Sequence, residues 1–193
     1  MRVFIVVLVL IFSLQSLTKA DDFRDFEIEG MSIGDSALDF FSENDLKNNT
    51  VLDWYNTSTF TPIADIKLAS SKTYEMFQIA VKSNDPHYTM QSIHGVIFYT
   101  NNDIDKCYKE LDHISNDIKK LFKKVNDSGK VTYKHPADKT GKTTITDVTL
   151  VSKRGDEISI QCYNWSEASG YTDQLRITLD TKEYSDFVRI AYD

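Results

Sequence analysis

Cys107 and Cys162 are the only cysteines in the 193-residue chain, and they are its clearest candidates for specific chemistry. Cys107 falls on the apolar side of a run with three- and four-residue spacing, and Cys162 alternates with Ile158 and Ile160. A helix stripe and a strand face of this kind both turn towards a core, so the two sulfurs are expected to meet there. In an oxidising compartment they would close a loop of about 56 residues, which in the chain-entropy account adds about 4 kcal/mol of stability. The alternative is two buried thiols packed as small hydrophobes. Neither cysteine is read as a nucleophile: the adjoining Lys106 falls off the apolar stripe that carries Cys107, and Cys162 lies between Gln161 and Tyr163.

The other chemistry-bearing residues are dispersed. His87, His94, His113 and His135 fall in a turn, a strand, a helix and a basic loop, and no pair has the i, i+4 spacing of a helical metal site. Gly141-Lys142-Thr143-Thr144 has the ending of a phosphate-binding loop, but Pro136 stands where the first glycine is required and has no amide hydrogen to offer. Arg154-Gly155-Asp156 reads as a hairpin turn. Asp21, Asp22, Asp25, Glu27 and Glu29 lack the Gly-assisted oxygen-rich loop of a calcium site and read as a solvated acidic arm. No motif calls for a metal or a cofactor, and no catalytic residue is assigned.

The first twenty residues predict where the chain goes. Arg2 is followed by an apolar run from Val3 to Leu14. Gln15–Ala20 then offers a small-residue cleavage site, with Thr18 and Ala20 at −3 and −1. The apolar block is shorter than the roughly 20 residues that span a bilayer, so residues 1–20 are read as a removed export signal. The expected location is a periplasm or the medium. Without Arg2 and Lys19, 20 basic and 29 acidic residues remain, a net charge of −9. That balance disfavours nucleic acid and anionic membrane as partners. Residues 21–193 are expected to form one α+β domain.

Hydrophobic periodicity places the elements. A capped helical segment starts at Asp35 or Ser36, and Ser42-x-x-Asp45 caps a second short turn. Residues 51–72 are ambiguous. Tyr74–Lys82 and Tyr88–Thr100 make a hairpin with a bulge expected near Gly95. A long amphipathic helix covers 102–125, stopped by Asn126–Gly129, and Val131–Tyr133 is a short strand candidate. Strands follow at Thr143–Lys153, Glu157–Trp165 and Gln174–Asp180, and Asp180-x-x-Glu183 suggests a capped terminal helix. This order predicts an antiparallel sheet with helices packed on one face. It also admits two similar helix-plus-strands halves, 26–100 and 101–193.

Trp54, Tyr55, Tyr163, Trp165 and Tyr171 lie near strand ends or loops, where exposed aromatics would line a surface for a protein partner or small ligand. The run Phe26-x-Ile28-x-Gly30-Met31-Ser32-Ile33-Gly34-Asp35-Ser36, followed by a hairpin, resembles exported outer-membrane assembly lipoproteins of the SmpA/OmlA family and β-lactamase-inhibitor-like proteins. The resemblance covers residues 26–100 and implies protein binding rather than catalysis. It departs from those families in the missing lipid-anchor cysteine and in the long helix. Three function classes follow: an exported binding domain; a small hydrolase using, for example, His135 and Asp138 with a residue of loop 164–172; or a secreted inhibitor or effector.

Overall fold

The computed structural model describes residues 23–55, 58–100, 103–122, 124–136 and 138–191. The expected export signal lies outside the described residues. Seven strands, β1 (Phe60–Ile66), β2 (Met76–Lys82), β3 (Met90–Tyr99), β4 (Asn126–Lys134), β5 (Thr144–Val151), β6 (Glu157–Asn164) and β7 (Asp173–Asp180), join three helices, α1 (Glu43–Asn48), α2 (Ile104–Leu121) and α3 (Lys182–Ala191). All neighbouring strands are antiparallel, in the order β1-β2-β3-β7-β6-β5-β4. The predicted α+β class, an antiparallel sheet with helices packed on it, is what the chain forms, but the helices do not share one face: α2 packs on one side and α3 on the other.

The topology explains why α2 must be long. β3 sits mid-sheet and β4 at an edge, four strand spacings away, about 19 Å at 4.7–4.9 Å each. An 18-residue helix reaches about 27 Å, enough to carry the chain across one sheet face, and α2 packs on β6, β7, β5 and β3 on the way. From β4 the chain returns strand by strand until β7 pairs with β3. One continuous sheet results, so the structure does not set apart the two halves that the element order admits.

Period-two alternation places Phe77, Ile79, Ile93, Leu175, Ile177, Leu179, Ile158 and Ile160 on one side, against Cys107, Leu111 and Ile118 of α2. Cys107 and Cys162 are joined in a disulfide within this core, their Cα atoms 6.0 Å apart. The acidic segment from Phe23 is docked through its apolar residues, while Asp25 and Glu27 stay exposed as expected of a solvated acidic stretch. Phe23 and Ile28 are buried, and the Phe23 ring meets Phe122 edge-on with centroids 4.8 Å apart. The alternate residues Phe60 and Ala80 pack with Tyr184, Phe187 and Ala191 of α3 in a second, smaller cluster.

Local departures from expectation have local causes. β1 was unreadable because it contains Pro62, but at a sheet edge a missing ladder donor is tolerated. Residues 49–51 flank that edge, with Val51 N–H donating to the Pro62 carbonyl and Ala64 N–H to the Asn49 carbonyl, each at 2.9 Å. Asn126–Gly129 does not form a free stop. It begins β4, with a register shift between Asp127 and Lys130 and Gly129 at φ 73°. α2 accordingly ends at Leu121, a turn earlier than expected. The terminal helix is capped by Thr181, whose Oγ1 accepts from Tyr184 N–H at 3.2 Å, and by Asp156, whose Oδ1 accepts from Lys182 N–H at 3.0 Å. The expected capping pair, Asp180 and Glu183, is not used for this. The segment beginning at Asp35 or Ser36 forms only a 3-10 turn, Ala37–Asp39.

The hairpin bulge lies at Gln91, between the pairs Ala80–Ser92 and Val81–Met90, not near Gly95. Gly95 is instead a close-approach position: a Cβ there would lie 2.6 Å from the Tyr74 ring. Gly95→Ala is therefore expected to cost about 1–3 kcal/mol, the usual penalty of overpacking. Denaturant unfolding measures it, and an unchanged midpoint would show that the ring simply moves away.

Candidate functional site

The sheet face opposite the main core carries the polar half of each strand's alternation. Residues in register form rows across β5, β6, β7 and β3: Ile145, Tyr163, Gln174 and Phe98; Asp147, Gln161, Arg176 and Val96; Thr149, Ser159, Thr178 and His94; Val151, Glu157, Asp180 and Ser92. α3 stands at one end of these rows, where Arg189 bonds Glu157.

Three of the five predicted surface aromatics gather at the other end. Tyr163, near the end of β6, is buried rather than exposed as expected; it stacks with Trp165 at 5.6 Å between centroids and 25° between planes, and Trp165 meets Tyr171 at 4.7 Å. His135 joins from the end of β4, 4.9 Å from the Trp165 ring. The local chain dictates this grouping. A 3-10 turn at Glu167–Ser169, ended by Gly170 at φ 72°, folds Tyr171 back onto Trp165. The loop after His135 is tied across to it, Ser166 N–H donating to Thr143 Oγ1 at 3.2 Å. Tyr171 is 69 % exposed, and Arg176 lays its guanidinium 4.3 Å from the Tyr163 centroid, a cation–π contact. Tyr55 is elsewhere, bonding Tyr184 through their hydroxyls at 2.6 Å and meeting Phe187 edge-on. Trp54, half-exposed, is not part of the ledge.

Asp138 is a loop staple. Its Oδ1 accepts from Thr140 N–H and Oγ1–H at 2.8 and 2.7 Å, and its Oδ2 from Thr143 N–H at 2.8 Å. The Thr143 and Thr140 bonds hold its carboxyl far below the ordinary carboxylate range, so it makes a poor proton acceptor. Burial, with Arg176 as a lesser cause, lowers the His135 pKa, and Asp138 opposes this weakly. The imidazole is therefore neutral at pH 7. The Gly141–Thr144 segment is closed by the same staple, and the Asp156 carboxyl of the Arg154–Asp156 turn is buried at the start of α3.

The residues that sequence reasoning missed lie between the ledge and α3. Asp147 is 8 % exposed, with Oδ2 accepting from Thr149 at 2.9 Å and Oδ1 buried without a hydrogen-bond partner. Burial pushes its pKa up to about 6, against the opposing effect of Thr149 and Gln161. Arg176 donates to Gln78 Oε1 at 3.1 Å, and with the Gln174 amide turned to face it, also to Gln174 at 2.7 and 3.0 Å. The signal was present in the sequence as alternating polar residues, but such a pattern ordinarily marks a solvent face.

Ser92, His94 and Asp180 cluster beside α3. Ser92 Oγ donates to Asp180 Oδ1 at 2.5 Å and lies 3.0 Å from His94 Nε2, and the same Nε2 is 3.5 Å from Asp180. A nucleophilic triad needs serine and carboxylate on opposite ring nitrogens. Here both face one nitrogen, and Nδ1 is buried without a partner. Among the described residues no group of three or more His, Cys, Asp and Glu could hold a metal ion, and no helix is long and apolar enough to cross a membrane. The fold and this face define an α+β domain with an aromatic ledge bordering a polar strip. No family model, curated protein or solved structure matches the chain.

Proposed function

We propose that the chain is an exported, non-catalytic binding protein and that the ledge of Trp165 and Tyr171, backed by the buried Tyr163, is its contact surface. The observation that carries this reading is the stacking of three aromatics and His135 at one sheet end, with Tyr171 largely exposed. Large, stiff rings with polar tips supply contact area at low entropic cost. The leader and the disulfide support export to a periplasm or the medium, where such a bond persists. A hydrolase built on His135 and Asp138 is less favoured, because the Asp138 carboxyl is engaged by its own loop.

Two outcomes are expected. Chain recovered from the exported fraction begins at Asp21 by intact mass; material that retains Met1 would contradict export through this leader. After brief formaldehyde treatment of native cells, the wild-type chain carries an adduct that a Trp165→Ala/Tyr171→Ala variant of unchanged circular dichroism lacks. Equal adducts on both would place the contact surface elsewhere.

A further inference from the structure

We infer that the open edge of β4 takes up an extended segment of an acidic partner protein as an eighth strand, held by the backbone of Lys130–Lys134 and by the lysines of that strand and its hairpin. The inference does not depend on the ledge, although the two surfaces meet at His135. Its basis is the backbone. β4 ends the sheet and pairs with β5 alone. Past the register shift near Asp127, Lys130–Lys134 pairs with Val148–Thr144 without interruption, and all five residues are exposed. His135 N–H donates to the Thr143 carbonyl at 3.0 Å, so at that pair the backbone bonds run inward. Antiparallel pairs alternate in this respect. Val131 and Tyr133 therefore bond β5, and the N–H and C=O groups of Lys130, Thr132 and Lys134 point out of the sheet. None of these six groups makes a backbone bond to another element among the described residues. Such a row is a template for one more strand.

The side chains say which strand. Val131 and Tyr133, 45 % and 41 % exposed, stand on one face, and Lys130, Thr132 and Lys134 on the other. Residues 119–142 hold eight lysines against Asp127 and Asp138, in a chain whose net charge is −7. Lys119 and Lys130 are paired with Asp127 and Asp112, and the Asp138 carboxyl is turned into its own loop. Lys134, Lys139 and Lys142 are exposed and make no salt bridge among the described residues. A second copy would set these lysines against one another, and lysines on an edge strand guard against self-pairing. A flat anionic membrane would use the lysines but leave the backbone row unpaired. An acidic strand satisfies both. Its residues across from Lys130 and Lys134 share their face, and those across from Val131 and Tyr133 share the other. The segment that fits reads acidic, apolar, polar, apolar, acidic.

The test follows the backbone amide signals of the isotope-labelled chain by NMR during titration with the peptide acetyl-Glu-Val-Thr-Val-Glu-amide. Saturable shifts centred on Lys130–Lys134 are expected. The same peptide N-methylated at its threonine, which cannot donate to the strand, and acetyl-Lys-Val-Thr-Val-Lys-amide should each bind about tenfold more weakly or less. Thr132→Pro removes one outward N–H at an edge position where proline is tolerated. It should weaken the acidic peptide by about tenfold or more with circular dichroism unchanged, and the peptide panel on the wild-type chain decides the question without it. Absence of saturable shifts in β4 overturns the inference, as does equal binding of the N-methylated peptide, which would leave only charge attraction. Vesicles of phosphatidylglycerol that move the β4 signals when the peptide does not would assign the lysines to a membrane instead. A dimer in sedimentation equilibrium that Thr132→Pro dissolves would give the edge to a second copy, and so overturn it too. None of these outcomes touches the ledge, whose adduct in native cells is read separately.

Discussion

Removing the Cys107–Cys162 bond is expected to lower the unfolding free energy by about 4 kcal/mol, a large share of the 5–15 kcal/mol typical of a domain. The bond joins residues 55 apart in sequence. It fastens the first turn of α2 to β6, the strand against which that helix packs most. Without it the unfolded chain regains the freedom of the whole intervening loop, which contains β4 and β5. The expectation is read from guanidinium unfolding of the native chain with and without reductant, and of a Cys107→Ala/Cys162→Ala variant. Reduction and double substitution should shift the midpoint in the same direction, the substitution somewhat further because it also removes two buried sulfurs. Coincident curves for oxidised and reduced chain would contradict the account.

Asp147→Asn is expected to stabilise the protein by about 2–3 kcal/mol at pH 8 and to change little at pH 4. The folded-state pKa is about 6, against about 3.9 for an unperturbed aspartate. Below the lower value both states hold the proton and burial carries no charge penalty. As the pH rises from about 4 to about 6, the unfolded chain releases its proton first, so stability falls across that window and stays lower above it. A two-unit difference corresponds to about 3 kcal/mol, and Asp147 is buried enough for most of this to be felt. Thermal unfolding from pH 4 to pH 8 should therefore show the wild-type chain and the variant diverging between about pH 4 and about pH 6. A variant equally displaced at both ends of the range would mean that Asp147 is not a buried carboxyl of this kind. Retaining an ionisable group at such a cost is characteristic of sites that are used rather than of packing alone.

The parts of this fold that were legible in the sequence are those whose burial is one-sided. α2 showed itself through Cys107, Leu111, Ile114 and Ile118, and β2, β6 and β7 through alternating Ile, Leu and Phe. β1 did not, and β4 did only at Val131–Tyr133. Pro62 argues against a central strand, and only its edge position makes it harmless. β4 is exposed almost throughout, so little apolar alternation marks the rest of it, and its pairing with β5 is imposed by the sheet. The disulfide was foreseeable from two inward-facing positions and the expected export signal. The aromatic ledge was legible by residue type only in part: Tyr163, Trp165 and Tyr171 come together, whereas Tyr55 is drawn to Tyr184 by a helix at the far end of the chain. Asp147 and Arg176 were hidden because polar residues at alternate positions look the same whether they face solvent or line a strip.

The central claim, that the ledge is where this protein meets its partner, is tested most directly by a photo-activated cross-linking residue placed at Tyr171 and, as control, at Ile190, an equally exposed position on α3. After illumination in native cells, intact mass of the purified chain is predicted to show an added mass at position 171 and none at 190. The same added mass at both positions, or at 190 alone, would contradict it.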